Sequence, residues 1–238
     1  EPLGFHAFGV TTERDHRVLA GHVERTVEAG RRLAATAGFR LGIVDAGGGL
    51  GIPYQDGERE LDLAAFGKQL ARLDEAWAAD PATRTVRVIL EPGRFLAGPA
   101  GAYVARVVDV KRLHGRQVAV LDGGINHLLA PALVGRRHRL RLVGSPPPGS
   151  RALVPADLVG PLCTGLDVLG RLETFPEPLP GDLVVALDAG AYGFTQSMPW
   201  FLSHAGAAEV GVSGRRAHLL RPRLDPAALV DAQRLPEA

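Results

Sequence analysis

Apolar residues in the first hundred positions alternate between two rhythms. Short apolar runs, "GFHAFGV" at 4–10, "RLGIVDAG" at 40–47 and "TVRVIL" at 85–90, predict strands. Between them, Val18, Leu19, Val23, Val27 and Leu33 recur at helical spacing and predict a helix over 15–37. A second helix is predicted over 62–79, with Asp62 as its N-cap. Strand–helix–strand units of this length imply a parallel sheet with right-handed crossovers, and functional residues then belong in the loops at the carboxyl ends of the strands. After about residue 102 the rhythm shortens. Runs at 102–113, 116–124, 138–143, 151–160, 181–190 and 207–214 are apolar, several alternate with period 2, and Gly and Pro separate them. That pattern predicts an antiparallel β-domain, with a last helix from Pro226 capped by Asp225. The expected organisation is a β/α part over 1–101 and a β-domain over 102–238.

Composition adds limits. The chain has 238 residues, 46% hydrophobic and 22% charged, which is enough for one large domain or two small ones. A net charge of +1 gives no whole-chain field that favours nucleic acid or an anionic membrane. No apolar run approaches the roughly 20 residues of a membrane helix, and the amino-terminal residues do not read as a signal peptide. One cysteine, Cys163, rules out an internal disulfide and suits a reducing compartment, so a cytoplasmic location is expected.

The chemistry-bearing residues lie at the predicted strand ends. "VDAGGGLGIPY" (44–54) sets glycines after an apolar strand, where backbone N–H groups can converge on an anion such as a phosphate. A ligand-free tight turn explains the same segment equally well. "ILEPGR" (89–94) delivers Glu91 and Arg94 to the next strand end, either as a site or as a local ion pair. "VGPLCTGLDVLG" (159–170) holds Cys163 and Asp167, and "VVALDAGAYGF" (184–194) holds Tyr192. A buried inert cysteine and a packed aromatic are the plainer readings of these two. "VGRRHRLRLV" (134–143) concentrates Arg136, Arg137, Arg139 and Arg141; it reads first as a solvated strand edge, and secondly as a patch for an acidic partner.

In sequence and order, "FHAF", "DAGGGLGI", "EPGR", "DGGIN", "GPLCTGLDVLG" and "GDLVVALDAGAYGF" resemble the landmarks of the fold-type III pyridoxal-phosphate decarboxylases, the ornithine/diaminopimelate/arginine decarboxylase family. The resemblance covers nearly the whole chain. It implies an α/β plus β fold: the last β/α units of a TIM-like (β/α)8 barrel, followed by an antiparallel β-domain. It implies pyridoxal 5'-phosphate as cofactor, with no metal, and a homodimer with shared active sites. Gly48 and Gly49, completed by Gly93 and Arg94, match the phosphate cradle. His6 matches a histidine stacked on the pyridine face, and Glu91 the carboxylate paired with the pyridine nitrogen. Cys163 matches the proton donor that reaches the partner's site. Arg94, Asp167 and Tyr192 match the substrate side.

The sequence also departs from the family. The Schiff-base lysine, which lies on the first barrel strand, has no counterpart: Lys68 and Lys111 sit in no matching motif. The chain therefore resembles a carboxyl-terminal part, expected to be inactive alone. Diaminopimelate decarboxylases usually follow the cysteine with Glu-Ser-Gly-Asp, where this chain has Thr164, Gly165, Leu166 and Asp167. They also carry an Arg and a Tyr where this chain has Ala130 and Val134. These losses favour a secondary-metabolism branch, some of whose members decarboxylate an aminoacyl group tethered to a carrier protein. Diaminopimelate or ornithine decarboxylase proper is the alternative. A non-catalytic decarboxylase-like regulatory protein is the alternative of another class; a racemase of the related fold fits the motifs less well.

Overall fold

The structure, a computed structural model, describes residues 3–234. The chain divides into two compact units, 1–100 and 101–238.

In the first unit, three short strands, β1 (Gly4–His6), β2 (Ile43–Asp45) and β3 (Arg87–Ile89), form a parallel sheet in the order β1-β2-β3. The crossovers carry α1 (His16–Ala37) and α2 (Leu63–Ala79), and a short helix α3 (Gly93–Ala97) follows β3. Both long helices start where the sequence puts a cap. The Asp15 carboxylate accepts from the Arg17 N–H, and that of Asp62 from the Ala65 N–H at 2.8 Å. Gly38 ends α1 in the left-handed region at φ 72°, its N–H returning to the Ala34 carbonyl. The inward stripe of α1 divides its packing. Leu19 and Ala20 meet Leu61 and Phe66 on the α2 side, while Val27 and Ala34 cover Val44 of the central strand. Gly30 lets α1 close on the sheet, for a Cβ there would press on Val44 and Phe5.

In the second unit, β4 (Tyr103–Leu113), β5 (Arg116–Leu121), a short helix α4 (Ala130–Val134), β6 (Leu140–Val143), β7 (Leu153–Val159), β8 (Val168–Pro176) and β9 (Leu183–Ala186) build a six-stranded sheet in the order β6-β9-β4-β5-β7-β8. A separate hairpin, β10 (Glu209–Ser213) and β11 (Arg216–Arg221), precedes α5 (Ala227–Asp231). At the start of α5 the Asp225 carboxylate accepts from the Ala227 N–H. β4 serves two neighbours: Tyr103–Arg106 pair with β9, and Val107–Leu113 pair with β5. All pairs are antiparallel except β5 with β7, which run parallel. This departs from the all-antiparallel expectation. The connection from β5 to β7, through α4 and β6, is long enough for the crossover that a parallel pair requires. Alternate residues of β4, β5, β7 and β9 (Ala105, Val107, Ala119, Leu121, Ala156, Leu158, Val184, Ala186) supply one core.

One buried ion pair joins the starts of β7 and β9. Arg151 and Asp182, 5% and 3% exposed, are paired side chain to side chain, and Asp182 also accepts from the Leu179 N–H. Burial raises the Asp182 pKa, but the Arg151 guanidinium and the Leu179 N–H outweigh it and hold the carboxyl below its ordinary value.

Candidate active site

The parallel register builds the first half of the site. It aligns Gly4, Ile43 and Arg87 in one row across β1, β2 and β3, and His6, Asp45 and Ile89 in another. His6 and Asp45 thus end neighbouring strands side by side, and Glu91 follows two residues beyond Ile89. Their ligand atoms all lie within 4.8 Å of one another, with His6 and Glu91 exposed and Asp45 half-buried.

The glycines then close three chain segments on one another. Two bonds cross the β2–β3 end, from the Ala46 N–H to the Ile89 carbonyl and from the Glu91 N–H to the Gly47 carbonyl, at 3.0 and 2.9 Å. On the other side, Glu13 pairs with the loop through Gly49 and Gly51. Gly48 lies so close to the Glu91 carbonyl that no Cβ fits, and Gly49, at φ +90°, lies equally close to the Val10 carbonyl. The Gly47 N–H is taken by the Asp45 carboxylate at 2.8 Å. Among the described residues, the N–H groups of Gly48 and Gly49 donate to no protein acceptor. His22, buried on α1, braces the loop from below, its Nε2 donating to the Ala46 carbonyl at 2.9 Å.

Arg94 stands on α3, three residues beyond Glu91. Its Nη1 donates to the Tyr54 hydroxyl at 2.8 Å, and its guanidinium carbon stands 5.8 Å from the centre of that ring. Nothing lies within 4 Å of where a Gly93 Cβ would project, so that side of the loop is open. The arrangement offers N–H donors and a guanidinium for an anion, with a carboxylate pair and an imidazole alongside. The His–Asp–Glu trio has donor atoms for a cation, but adjacent N–H donors and an arginine oppose one.

The second unit holds the other candidates. Cys163 is exposed in the loop between β7 and β8. Tyr192 is half exposed and has φ +54°, a left-handed backbone that bulky residues rarely adopt. Asp167 departs from the sequence expectation of a substrate contact. It is 3% exposed, and its two oxygens accept from the Ile125 and Leu162 N–H groups at 2.8 Å. Its carboxylate also fills the space left by Gly124 and Gly160. Asp167 therefore fastens two loops together, with its carboxylate turned into the fold. The basic run of 136–141 is likewise split. Arg139 makes two bonds, at 2.9 and 2.7 Å, to buried Asp188, while Arg137 and Arg141 are exposed. Lys68 and Lys111 are both exposed, on α2 and β4.

Three residues of the site were not singled out from sequence: Asp45, Tyr54 and His22. The first two stand in the glycine motif itself, and only the strand register and the fold of 50–58 give them a role.

The family model for pyridoxal-dependent decarboxylases, C-terminal sheet domain, matches residues 22–190. The chain belongs to this family. It is 30% identical over 238 residues to the diaminopimelate decarboxylase of Methanothermobacter thermautotrophicus, covering 99% of this chain and 54% of that protein. It is 31% identical over 213 residues to the L-glutamyl-[BtrI acyl-carrier protein] decarboxylase of Niallia circulans, covering 87% and 50%. The crystal structure of AQ1208 from Aquifex aeolicus superposes with a TM-score of 0.81 at 30% identity, covering 96% of this chain and 54% of that one. The chain spans about half the length of the curated relatives it matches. The family's cofactor is pyridoxal phosphate, and the residues present fit it. Unclaimed N–H donors and Arg94 suit a phosphate, and a carboxylate suits a protonated pyridine nitrogen.

Proposed function

We propose that this chain carries the phosphate-binding and ring-binding side of a pyridoxal-phosphate-dependent decarboxylase. The observation that carries the reading is the coincidence of the two unclaimed N–H groups at Gly48 and Gly49 with the His6–Asp45–Glu91 trio at one set of strand ends. Gly48, Gly49, Gly93 and Arg94 would hold the phosphate, His6 would flank the ring, and Glu91 would hold a proton on the pyridine nitrogen, since a nearby anion favours the charged form. When bound, the cofactor supplies an electron sink for the electron pair left as CO₂ departs. Asp45 is bound to the Gly47 N–H through one oxygen, so it fixes the loop while adding negative charge beside His6.

The exposed thiol of Cys163 returns a proton to the substrate carbon. Acting in a partner's site within a homodimer, it needs the exposure it has. Tyr192 borders the substrate; its strained backbone fits a residue whose position is set by function. The substrate is an amino acid or an aminoacyl group tethered to a carrier protein, and the tethered class is favoured. In support, Leu166 is 64% exposed in the Cys163 loop, an apolar side chain where a distal charged group would need a partner, and unpaired charge is costly. Diaminopimelate decarboxylation is the second reading, supported by the 30% identical relative of that name.

The test is CO₂ release, by the complete pyridoxal-phosphate-loaded enzyme that joins this chain to a lysine-bearing part, from free diaminopimelate, free ornithine and an aminoacyl thioester on a carrier protein. The expected result is a kcat/KM for the thioester at least about tenfold above either free amino acid, which corresponds to ~1.4 kcal/mol of transition-state discrimination. Preference for free diaminopimelate overturns the tethered branch, and release from none of them overturns the reading.

A further inference from the structure

Residues 52–58 form a strap along α3 that none of the roles above accounts for. Ile52 fills the space left by Gly98 at one end of that turn, and Tyr54 takes the Arg94 guanidinium at the other. Tyr54 is 8% exposed, so the contact is made within the fold and not at its rim. The strap is itself held. One oxygen of Glu58 accepts from the Tyr54 and Gln55 N–H groups at 2.7 and 3.0 Å, and the other from Arg14 Nη2 at 3.1 Å. Arg14 donates again to the Arg59 carbonyl. Burial raises the Glu58 pKa, but the two N–H groups and Arg14 outweigh it and lower the carboxyl below its ordinary value, which keeps the clamp charged. Arg14 follows Glu13, whose backbone pairs with Gly49 and Gly51. One stretch of chain therefore braces both the glycine loop and the strap that holds Arg94.

A long, charged side chain at an open site loses rotamer freedom when it binds an anion. A buried hydroxyl and ring that hold it beforehand remove part of that cost. We infer that Tyr54 is a positioning residue, fixing the Arg94 guanidinium for the anion that Arg94 binds. The inference rests on the proposed decarboxylase reading. The anion is either the cofactor phosphate or the substrate carboxylate.

The test uses the holoenzyme and the variants Tyr54→Phe, Arg94→Ala and their combination. Tyr54→Phe keeps the ring and removes the acceptor, so it tests position without opening a cavity. Affinities for pyridoxal phosphate and for pyridoxal, which lacks the phosphate, are read by fluorescence. The expected result for Tyr54→Phe is about tenfold weaker pyridoxal phosphate with pyridoxal unmoved, the scale of one hydrogen bond to a charged group. In the combined variant, Tyr54→Phe adds no loss beyond that of Arg94→Ala. A rise in substrate KM with both affinities unchanged, again without effect on top of Arg94→Ala, supports the inference and assigns the anion to the substrate. Losses that add in the combined variant, equal losses for both pyridoxals, or an unaltered Tyr54→Phe enzyme overturn it. If the parent protein binds neither pyridoxal, the decarboxylase reading fails first and takes this inference with it.

Discussion

Both units press glycines against oxygen atoms, and to opposite ends. In the β/α unit, Gly48 and Gly49 press on the backbone carbonyls of Glu91 and Val10. Backbone meets backbone, so the Glu91 side chain stays exposed and two N–H groups stay unclaimed. In the β unit, Gly124 and Gly160 press on the Asp167 carboxylate, and Gly144 on that of Asp182. There the glycines make room for the charge itself, and backbone N–H groups consume it. The same residue types in similar strings thus give available chemistry in one place and a fastening in the other. Which outcome follows depends on whether the glycine faces a carbonyl or a carboxylate.

Exchanging the two carboxylates' fates is the strongest way to break that contrast. Asp167→Ala leaves the Ile125 and Leu162 N–H groups buried without their partner. At about 2 kcal/mol each, the expected loss is about 4 kcal/mol of stability. Denaturant unfolding measures it; a loss under ~1 kcal/mol means that Asp167 is not a fastening. Glu91→Gln is expected to do the reverse. Stability changes little, because the side chain is exposed, while kcat falls on the order of 10²–10³, as for removal of one key electrostatic partner. Near-parental turnover returns Glu91 to a surface role.

A smaller effect sharpens the comparison through pH. His127 lies in the β unit with Nε2 donating to the Ala205 carbonyl at 2.8 Å and Nδ1 accepting from the Tyr103 hydroxyl at 3.2 Å. Burial, foremost, lowers its pKa below 6.5. The unfolded chain then takes up the proton first as pH falls. The stabilisation is complete above about pH 6.5 and is lost progressively below it, down to the folded pKa. Melting temperature measured from pH 7.5 to 5 is expected to fall, with a shallower slope in His127→Gln. Parallel slopes would assign the acid sensitivity to other groups.

Much of this was legible in the chain. The caps at Asp15 and Asp62 and the helix–strand alternation are local properties, written within a few residues of where they act. β8 was not read, because Gly170 interrupts its apolar run and the cysteine loop adjoins it. The parallel β5–β7 pairing was not readable either: alternation tells which face a residue takes, not which strand lies beside it. The site shows the same division. The glycine string and Glu91–Arg94 announce themselves, but Tyr54 reaches Arg94 across 40 residues, and only folding joins them. Asp167 is assigned to the substrate side by its place in the cysteine motif. Its burial is decided by Gly124, Ile125 and Leu162, two of them in a loop some 40 residues earlier in the chain.

β4 carries a consequence for the order of assembly. Val107–Leu113 find β5 across a short hairpin as soon as both have left the ribosome. Tyr103–Arg106 have no ladder partner until Leu183–Ala186 have been made. A chain interrupted anywhere between β5 and β9 therefore holds half a strand satisfied and half an open edge, ready to pair with whatever extended segment it meets first.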